Sequence, residues 1–412
     1  MRSPAGARYN PARVFEGGDV SLDLAKVLNQ VDQLGAETAQ RQLERAAALP
    51  KAQAALHQAS ALDPSEIRQR IERAGDRWRG ASPGSEAWQI SLPPPALPAR
   101  WRAIGADGSQ VYPDRHAAAQ FCLVNVGSLC LSHGSGEAPL ASSQPRLLFR
   151  QDELTTSQGE AIDTSLVNGT RDVAEMAELA DLAERSSSEP SLTLLDNGLL
   201  LWLALQEFEH HSPDVDLLLK RYLGEMDRLR RAQAALAGFI DRPRGTNLLR
   251  LVELCMLPLQ QVNPETSRQR LYSNLVDRDL LEGLLPPGQR SAVFRVVSPL
   301  NAAFEARGHG IHFFYLNTGY DGQIARVEIP AWVAEDPDSL GRVHAGILKE
   351  CLVTGIPYVL VRAHELAVVT QHDRGALEAL IAGALLRQGI APRISQKSAT
   401  KRWTAARRRH RL

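Results

Sequence analysis

Two aspartates of this chain, Asp107 and Asp196, stand in the same local setting. Residues 102–112 read RAIGADGSQVY and residues 191–198 read SLTLLDNG. Each is an apolar run that climbs to an Asp and then breaks into a glycine turn, which reads as a strand delivering one carboxylate at its end. The glycine lets backbone and a metal or phosphate come close. A lone Asp-Gly-Ser is most often a plain turn. A second strand-terminal carboxylate, with an acidic helix before it, makes the pair a candidate metal site on a mixed sheet. That helix, expected over 168–185, offers Asp172, Glu175, Glu178, Asp181 and Glu184. At about 100° per residue, Glu175 lies roughly 40° from Leu179, at the edge of the apolar face, and Glu178 lies further into solvent. Glu175 is therefore favoured and Glu178 is the spare, against the plain alternative of a solvated acidic face. The chemistry such a set serves is phosphodiester hydrolysis. Two hard divalent ions about 3.5–4 Å apart clamp the attacking and leaving oxygens. Mg²⁺ and Mn²⁺ take carboxylate and water ligands.

A second constellation lies late in the chain, at 355–365, GIPYVLVRAHE. It reads as a buried strand running into a helix, with His364 and Glu365 at the helix start. A histidine there binds metal or orients water and the scissile phosphate; its plain alternative is a satisfied structural residue. Glu365 is either a ligand or an acid in a first helical turn. Tyr358, placed inside the strand, contacts phosphate, stacks a base, or fills the core.

The elements that must position these residues come from length, composition and period. The 412 residues are 44% hydrophobic with 5% aromatics and a formal net charge of +0. That describes a globular chain with an aliphatic core and no global field for nucleic acid, so any basic surface is local. No apolar run reaches bilayer length and no signal-like core follows Met1, so the expectation is a cytoplasmic protein without a membrane association. Cys122, Cys130, Cys255 and Cys351 show no zinc spacing and read as buried free thiols. Three regions follow: a helical arm and proline-rich linker over 1–100, an α/β domain over 101–392, and a basic tail over 393–412. In the arm, 1–20 is a loose start, Ser21 caps a helix whose apolar residues include Leu22, Leu24, Leu28, Val31 and Leu34, and Pro50 kinks or splits it. A second helix follows over 64–80, and SLPPPALP at 91–98 is a stiff linker. The arm is either a coiled-coil or dimer element or folds back on the domain.

From residue 102 the pattern becomes a three-strand meander, 102–112, 121–131 and 146–150, with 132–145 as a loop. A helix capped by Thr170 and the strand ending at Asp196 come next. Helices over 199–208 and 214–236, a strand over 237–243, further strands and closing helices complete the domain. The last sixteen residues hold seven Lys or Arg, with Trp403 among them. This tail either holds a DNA backbone by counterion release, with the indole stacking on a base, or is a solubilising end. Arg242, Arg244, Arg290 and Arg326 are candidates for phosphate contact, with surface salt bridges as the alternative.

These pieces carry a resemblance. Asp107-Gly108-Ser109, Arg171 with Glu175, Leu195-Asp196-Asn197-Gly198, AGFIDRP at 237–243, PGQRSAVF at 287–294, RVEIP at 326–330, Pro357-Tyr358 and Ala363-His364-Glu365 fall in the order of the NurA nuclease family and cover roughly 102–390. The resemblance implies a ribonuclease-H-like fold and a Mn²⁺-dependent nuclease that degrades DNA from 5′ ends and cuts single strands internally. It implies a homodimer with a central channel, working with a HerA-type hexameric translocase in DNA end resection. By position, Asp107, Glu175 and Asp196 match the family's metal carboxylates, His364 its late histidine, and Tyr358 a further site residue. The chain departs from the family in its long arm, in Asp-Asn-Gly where Asp-Gly is commoner, and in the long segments over 131–168 and 199–236. The expectation is an α/β ribonuclease-H-like fold with a helical N-terminal arm. Asp107, Glu175 and Asp196, helped by His364, hold Mn²⁺ or Mg²⁺ for DNA cleavage. The rival from another class is a non-catalytic DNA-end adaptor that loads a translocase, and cleavage of RNA or RNA–DNA hybrids is a third reading.

Overall fold

The computed structural model describes residues 24–84, 86, 88, 91–114, 117–185, 189–201 and 212–391. Ser21, Leu22, most of the helix expected over 199–208, and the basic tail with Trp403 lie outside the described residues.

Nine described strands are β1 (Gly80–Pro83), β2 (Trp101–Val111), β3 (Cys122–His133), β4 (Leu140–Leu148), β5 (Ser191–Asp196), β6 (Ala235–Ile240), β7 (Phe294–Val297), β8 (Ile311–Asn317) and β9 (Ile324–Pro330). They form one sheet in the order β1-β7-β8-β9-β6-β5-β2-β3-β4. β2, β3 and β4 are an antiparallel meander, β5 runs parallel to β2, and β6 runs parallel to β5. Five strands ordered β4-β3-β2-β5-β6, with only the middle strand of the meander reversed, make the fold ribonuclease-H-like. The remaining four strands extend it antiparallel beyond β6. β1 belongs to the region expected to be only arm and linker, and it forms an edge of this sheet.

The sheet is covered on both faces, which is why β2, β3 and β5 read as nearly continuous apolar runs. On one face lie α3 (Thr164–Glu184), α4 (Pro213–Arg231) and α5 (Asn247–Met256). There Ile104, Ala106 and Leu195 share a core with Met176, Leu179 and Ala180. On the other face lie α6 (Pro337–Cys351) and α7 (Tyr358–Ala367), ahead of α8 (Gln371–Arg387). There Ala103, Leu194 and Phe239 meet Val343, Ile347, Val359 and Leu360.

α1 (Leu28–Ser60) runs unbroken through Pro50, so the proline does not split the helix. Its later half buries Ala52, Ala55, Leu56 and Ala59, while Leu28, Val31, Leu34 and Leu43 of its earlier half are exposed. The arm therefore docks by one half, and that docking holds the turn whose N–H the proline removes. α2 (Pro64–Ala74) is capped by Asp63 as the Asp-Pro pair dictates. α3 begins earlier than expected, at Thr164. Its cap is Asp163, whose carboxylate accepts the Leu166 N–H at 2.8 Å, and not Thr170. The expected loop over 132–145 is a short connection, because β3 runs to His133 and β4 starts at Leu140. The four cysteines are free and buried.

His344 on α6 shows how closely the second face is packed. It is 1% exposed and its ring N–H donates to the Gly288 carbonyl at 3.0 Å. Burial drives its pKa down from 6.5 to about 4. The unfolded chain then binds a proton in the window that the folded chain refuses, so stability held above pH 6.5 is lost as pH falls through that window. We expect roughly 2 kcal/mol less stability at pH 5 than at pH 7 from this group. Urea denaturation at both pH values checks it: His344→Gln, which keeps a donor and does not titrate, should lose correspondingly less.

Candidate active site

β2 and β5 stop pairing at Ala106 with Leu195. Asp107 and Asp196 are the next residues on each strand, so they leave the sheet side by side. Side chains alternate between faces along a strand. Since Ala106 and Leu195 face α3, both aspartates face α7. Asp196 ends β5 as expected. Asp107 does not end β2: the strand continues four residues to Val111, paired to β3, and Gly108-Ser109 is extended and not a turn. The carboxylate stands at the end of the β5 pairing, not at the end of its own strand.

α7 brings His364 to this pair. Its Nδ1 lies 2.7 Å from Asp107 Oδ2. The helix is fixed from below at both ends. Buried Glu350 accepts the Val359 N–H at 3.2 Å and meets His133 Nε2 at 2.7 Å. The Asn125 amide donates to the carbonyls of Leu366 at 3.2 Å and Ala367 at 2.8 Å. Gly127, directly opposite Asp107 on β3, makes the seat: a Cβ there would stand 2.3 Å from the Ala363 carbonyl oxygen and 2.4 Å from the Ala367 nitrogen. The strand expected from 355 is thus helix from Tyr358, with His364 in its second turn. An apolar run of that length is read equally well as a buried strand or helix. Tyr358 is 37% exposed, about 9 Å of helix rise from His364, and is not brought to the acids. Glu365 pairs with Arg362 and faces solvent.

Glu175 comes from α3 on the opposite face. It meets the aspartates across Gly108, where a Cβ would lie 2.5 Å from Glu175 Oε1. Arg171, one turn earlier, lies with its Nε 3.1 Å from that oxygen, donates to Asp172 at 2.7 Å and to Gln110 at 3.2 Å. Burial pushes the Glu175 carboxyl well above the usual range; Arg171 opposes this, and Asp172, Asp107 and Asp196 add to it. The Asp196 carboxyl is also raised, first by desolvation at the crowded sheet end and then by Asp107, with His364 opposing. Glu178, expected toward solvent, is buried instead. It accepts from Ser128 at 2.7 Å and from Gln144 at 2.9 Å, and so joins α3 to β3 and β4.

The turn after Asp196 is held from β9. Glu328 accepts the Leu199 N–H at 2.8 Å and Arg326 Nε at 2.9 Å. Arg326 lies 3.7 Å above the Phe313 ring, is 5% exposed, and is no phosphate contact. Arg290 is likewise buried, its guanidinium on Glu86 at 2.8 Å. Arg242 and Arg244, after β6, are exposed. Two residues carry site roles that sequence reasoning did not assign. Arg171 is the counter-ion of Glu175. Asp241 follows the end of β6 and acts electrostatically on Asp196, with one carboxylate oxygen buried and without a partner. Its signal was present in AGFIDRP, a third strand ending in Asp.

The donor chemistry fits a hard divalent cation. Asp107 and Asp196 stand next to each other where the strands part; desolvation and then the Asp107 charge raise the Asp196 carboxyl, and a cation would offset both. Among the described residues, no three His, Cys, Asp or Glu side chains close on one point, and Glu175 pairs with Arg171.

Comparison with known proteins gives a family. The NurA domain matches residues 102–369. Among solved structures, the NurA nuclease from Sulfolobus solfataricus is similar at 12% identity, covering 89% of this chain and 96% of its own, with TM-score 0.48. A NurA bound to dAMP and manganese is similar at 13% identity, over 87% of this chain and 97% of its own, with TM-score 0.39. The catalytic domain of human Endonuclease V is similar at 16% identity, over 76% of this chain and 95% of its own, with TM-score 0.33. No curated protein matches the chain.

The two close-approach glycines separate fold from site. Gly127→Ala meets backbone atoms of α7 and should cost about 1–3 kcal/mol, read by chemical denaturation. Gly108→Ala meets the carboxylate end of Glu175 and the Cγ and Cδ of the Arg171 stem, and no backbone. It should cost less stability and displace Glu175, which a titration of that carboxyl by NMR would show as a shifted resonance.

Proposed function

The chain belongs to the NurA family of nucleases, and on that premise we propose that it is a metal-dependent deoxyribonuclease. The observation that carries the reading is the pair Asp107 and Asp196, side by side where β2 and β5 part, with His364 on Asp107 at 2.7 Å. Asp107 and Asp196 would hold Mn²⁺ or Mg²⁺, and Glu175 would complete the set in place of its pair with Arg171. A bound divalent ion supplies Lewis-acid stabilisation of the phosphoryl charge and a water of lowered pKa. His364 fixes the orientation of Asp107 and, at 63% side-chain exposure, stays open to a phosphate oxygen or a proton from water. Arg171 keeps the buried Glu175 charge tolerable until then.

The finer reading follows the family resemblance: digestion of DNA from 5′ ends with internal cutting of single strands, as a homodimer in the cytoplasm, beside a HerA-type hexameric translocase in end resection. No described helix is long and apolar enough to cross a membrane. Tyr358 stands off the acids, and its part in the reaction is contact with the substrate beyond the scissile bond. One observation favours the adaptor reading, in which the chain grips DNA ends without cutting: Glu175 is already satisfied by Arg171.

The deciding assay is cleavage of end-labelled single- and double-stranded DNA with Mn²⁺, Mg²⁺ or EDTA. Wild type should degrade DNA with metal and not with EDTA. Asp107→Ala and Asp196→Ala should fall to background while keeping the wild-type melting profile. Cleavage at the wild-type rate by either variant would overturn the site. DNA binding without cleavage under any metal, alone or with the translocase, would establish the adaptor.

A further inference from the structure

Glu175, Asn197 and Gly198 line a cavity of 660 Å³ on the α3 side of the sheet, the face opposite Asp107 and Asp196. Its outer wall is formed by Arg79, just before β1, and Arg244, in the loop after β6. A second cavity, of 490 Å³, is lined by Arg77, Arg79 and Arg268. The two share Arg79 in their linings, so the four arginines flank neighbouring cavities, the first of which also holds Glu175.

The fold explains why these arginines point outward. Trp78 is 5% exposed and packs with Ala74, Leu254 and Val262. Arg77 lies in the turn closed by the Trp78 N–H on the Gly75 carbonyl at 2.9 Å, Arg79 follows Trp78, and both are exposed while Trp78 is buried. The segment is then tied down on both sides. Gly80 pairs with Val297 at the sheet edge, and the Asn247 amide donates to the Gly80 carbonyl at 3.1 Å. The same Asn247 accepts from Arg326, which anchors the base of the loop carrying Arg244.

All four arginines are exposed, and among the described residues no ion pair or side-chain hydrogen bond holds them. That differs from the arginines nearer the core, where Arg171, Arg250, Arg290 and Arg326 each have a carboxylate. Asp76 is the acid beside them in the second cavity. Four exposed cations flanking two neighbouring cavities suit a phosphate backbone, whose charges the arginines neutralise.

We propose that Arg77, Arg79, Arg244 and Arg268 form a backbone track for a single nucleic-acid strand leading to Glu175, built in part by residues ahead of the matched NurA domain. The inference rests on the nuclease reading for its substrate. Its readout is binding, which keeps the two apart.

The test uses the full chain carrying Asp107→Ala, in EDTA, with a fluorescent single-stranded oligothymidylate titrated at several salt concentrations. Adding Arg79→Ala and Arg244→Ala should weaken binding about tenfold near 0.1 M salt and lower the log–log salt slope by about 0.7 per arginine. Arg79→Lys should keep most of the affinity, because the charge stays. Arg41→Ala, on the exposed half of α1, should leave affinity and slope unchanged. Unchanged affinity and slope in the double variant would overturn the track while leaving the nuclease reading in place. Equal losses in Arg79→Lys and Arg79→Ala, or an equal loss in Arg41→Ala, would also overturn it. Failure of the parent to bind single strands in EDTA would also overturn the track, and the metal-dependent cleavage assay would still decide the nuclease reading.

Discussion

The site depends on one constraint: β2 and β5 run parallel and stop pairing at the same level, with an aspartate next on each. Parallel neighbours lie about 4.8 Å apart. Two carboxylates leaving such strands on one face are therefore held closer than like charges settle in water, and neither can retreat without breaking the sheet. The Asp196 carboxyl is raised, first by desolvation and then by the Asp107 charge. The strand pairing is built from buried residues, so the core pins the acids and the repulsion stays available for a cation to relieve. β2 adds to this by continuing past Asp107. Its pairing with β3 keeps the carboxylate inside a rigid element and off a mobile turn.

The helix that carries His364 is a consequence of the same sheet. It lies on β3 at Gly127, opposite Asp107, at a distance no side chain would allow. Polar groups then fix its two ends, Glu350 at the start and Asn125 at the finish. Each of those groups is buried and would carry a desolvation cost if the helix moved away. His364 therefore reaches Asp107 because a glycine and two buried polar side chains leave the helix no other seat. The turn after Asp196 is held by the same means from the other side, through Glu328 and Arg326.

Much of this was legible in the chain before any coordinates. The apolar run to Asp107, its counterpart to Asp196, and the meander between them gave the ribonuclease-H-like order, because strand periodicity and turn residues are local signals. What was not legible was set by neighbours distant in sequence. Gly108 reads as a turn, yet β3 supplies a partner that keeps β2 extended, and the glycine is needed for the room Glu175 takes up. Glu178 sits on a helical face that the period alone sends to solvent, and only β3 and β4, with Ser128 and Gln144, make it a buried ligand of the sheet. The run at 355–365 has no period to separate strand from helix, and the deciding fact is the glycine seat beneath it. Arg290 and Arg326 looked like free cations because their partners, Glu86 and Glu328, are identified only by packing.

Arg171 is the residue through which these parts bear on one another. It lies on α3, one turn before Glu175, and touches Asp172, Glu175 and Gln110 of β2. Burial alone would drive Glu175 to its neutral form, and the nearby Asp107 and Asp196 push the same way. A neutral carboxyl is a poor ligand for a hard cation. A guanidinium alongside keeps the charged form within reach while no cation is present, at the cost of occupying it. The three acids thus differ by construction. Asp107 and Asp196 are held open by the sheet, whereas Glu175 is held closed by an ion pair. A metal at this sheet end would be held by Asp107 and Asp196 and would compete with Arg171 for the third carboxylate.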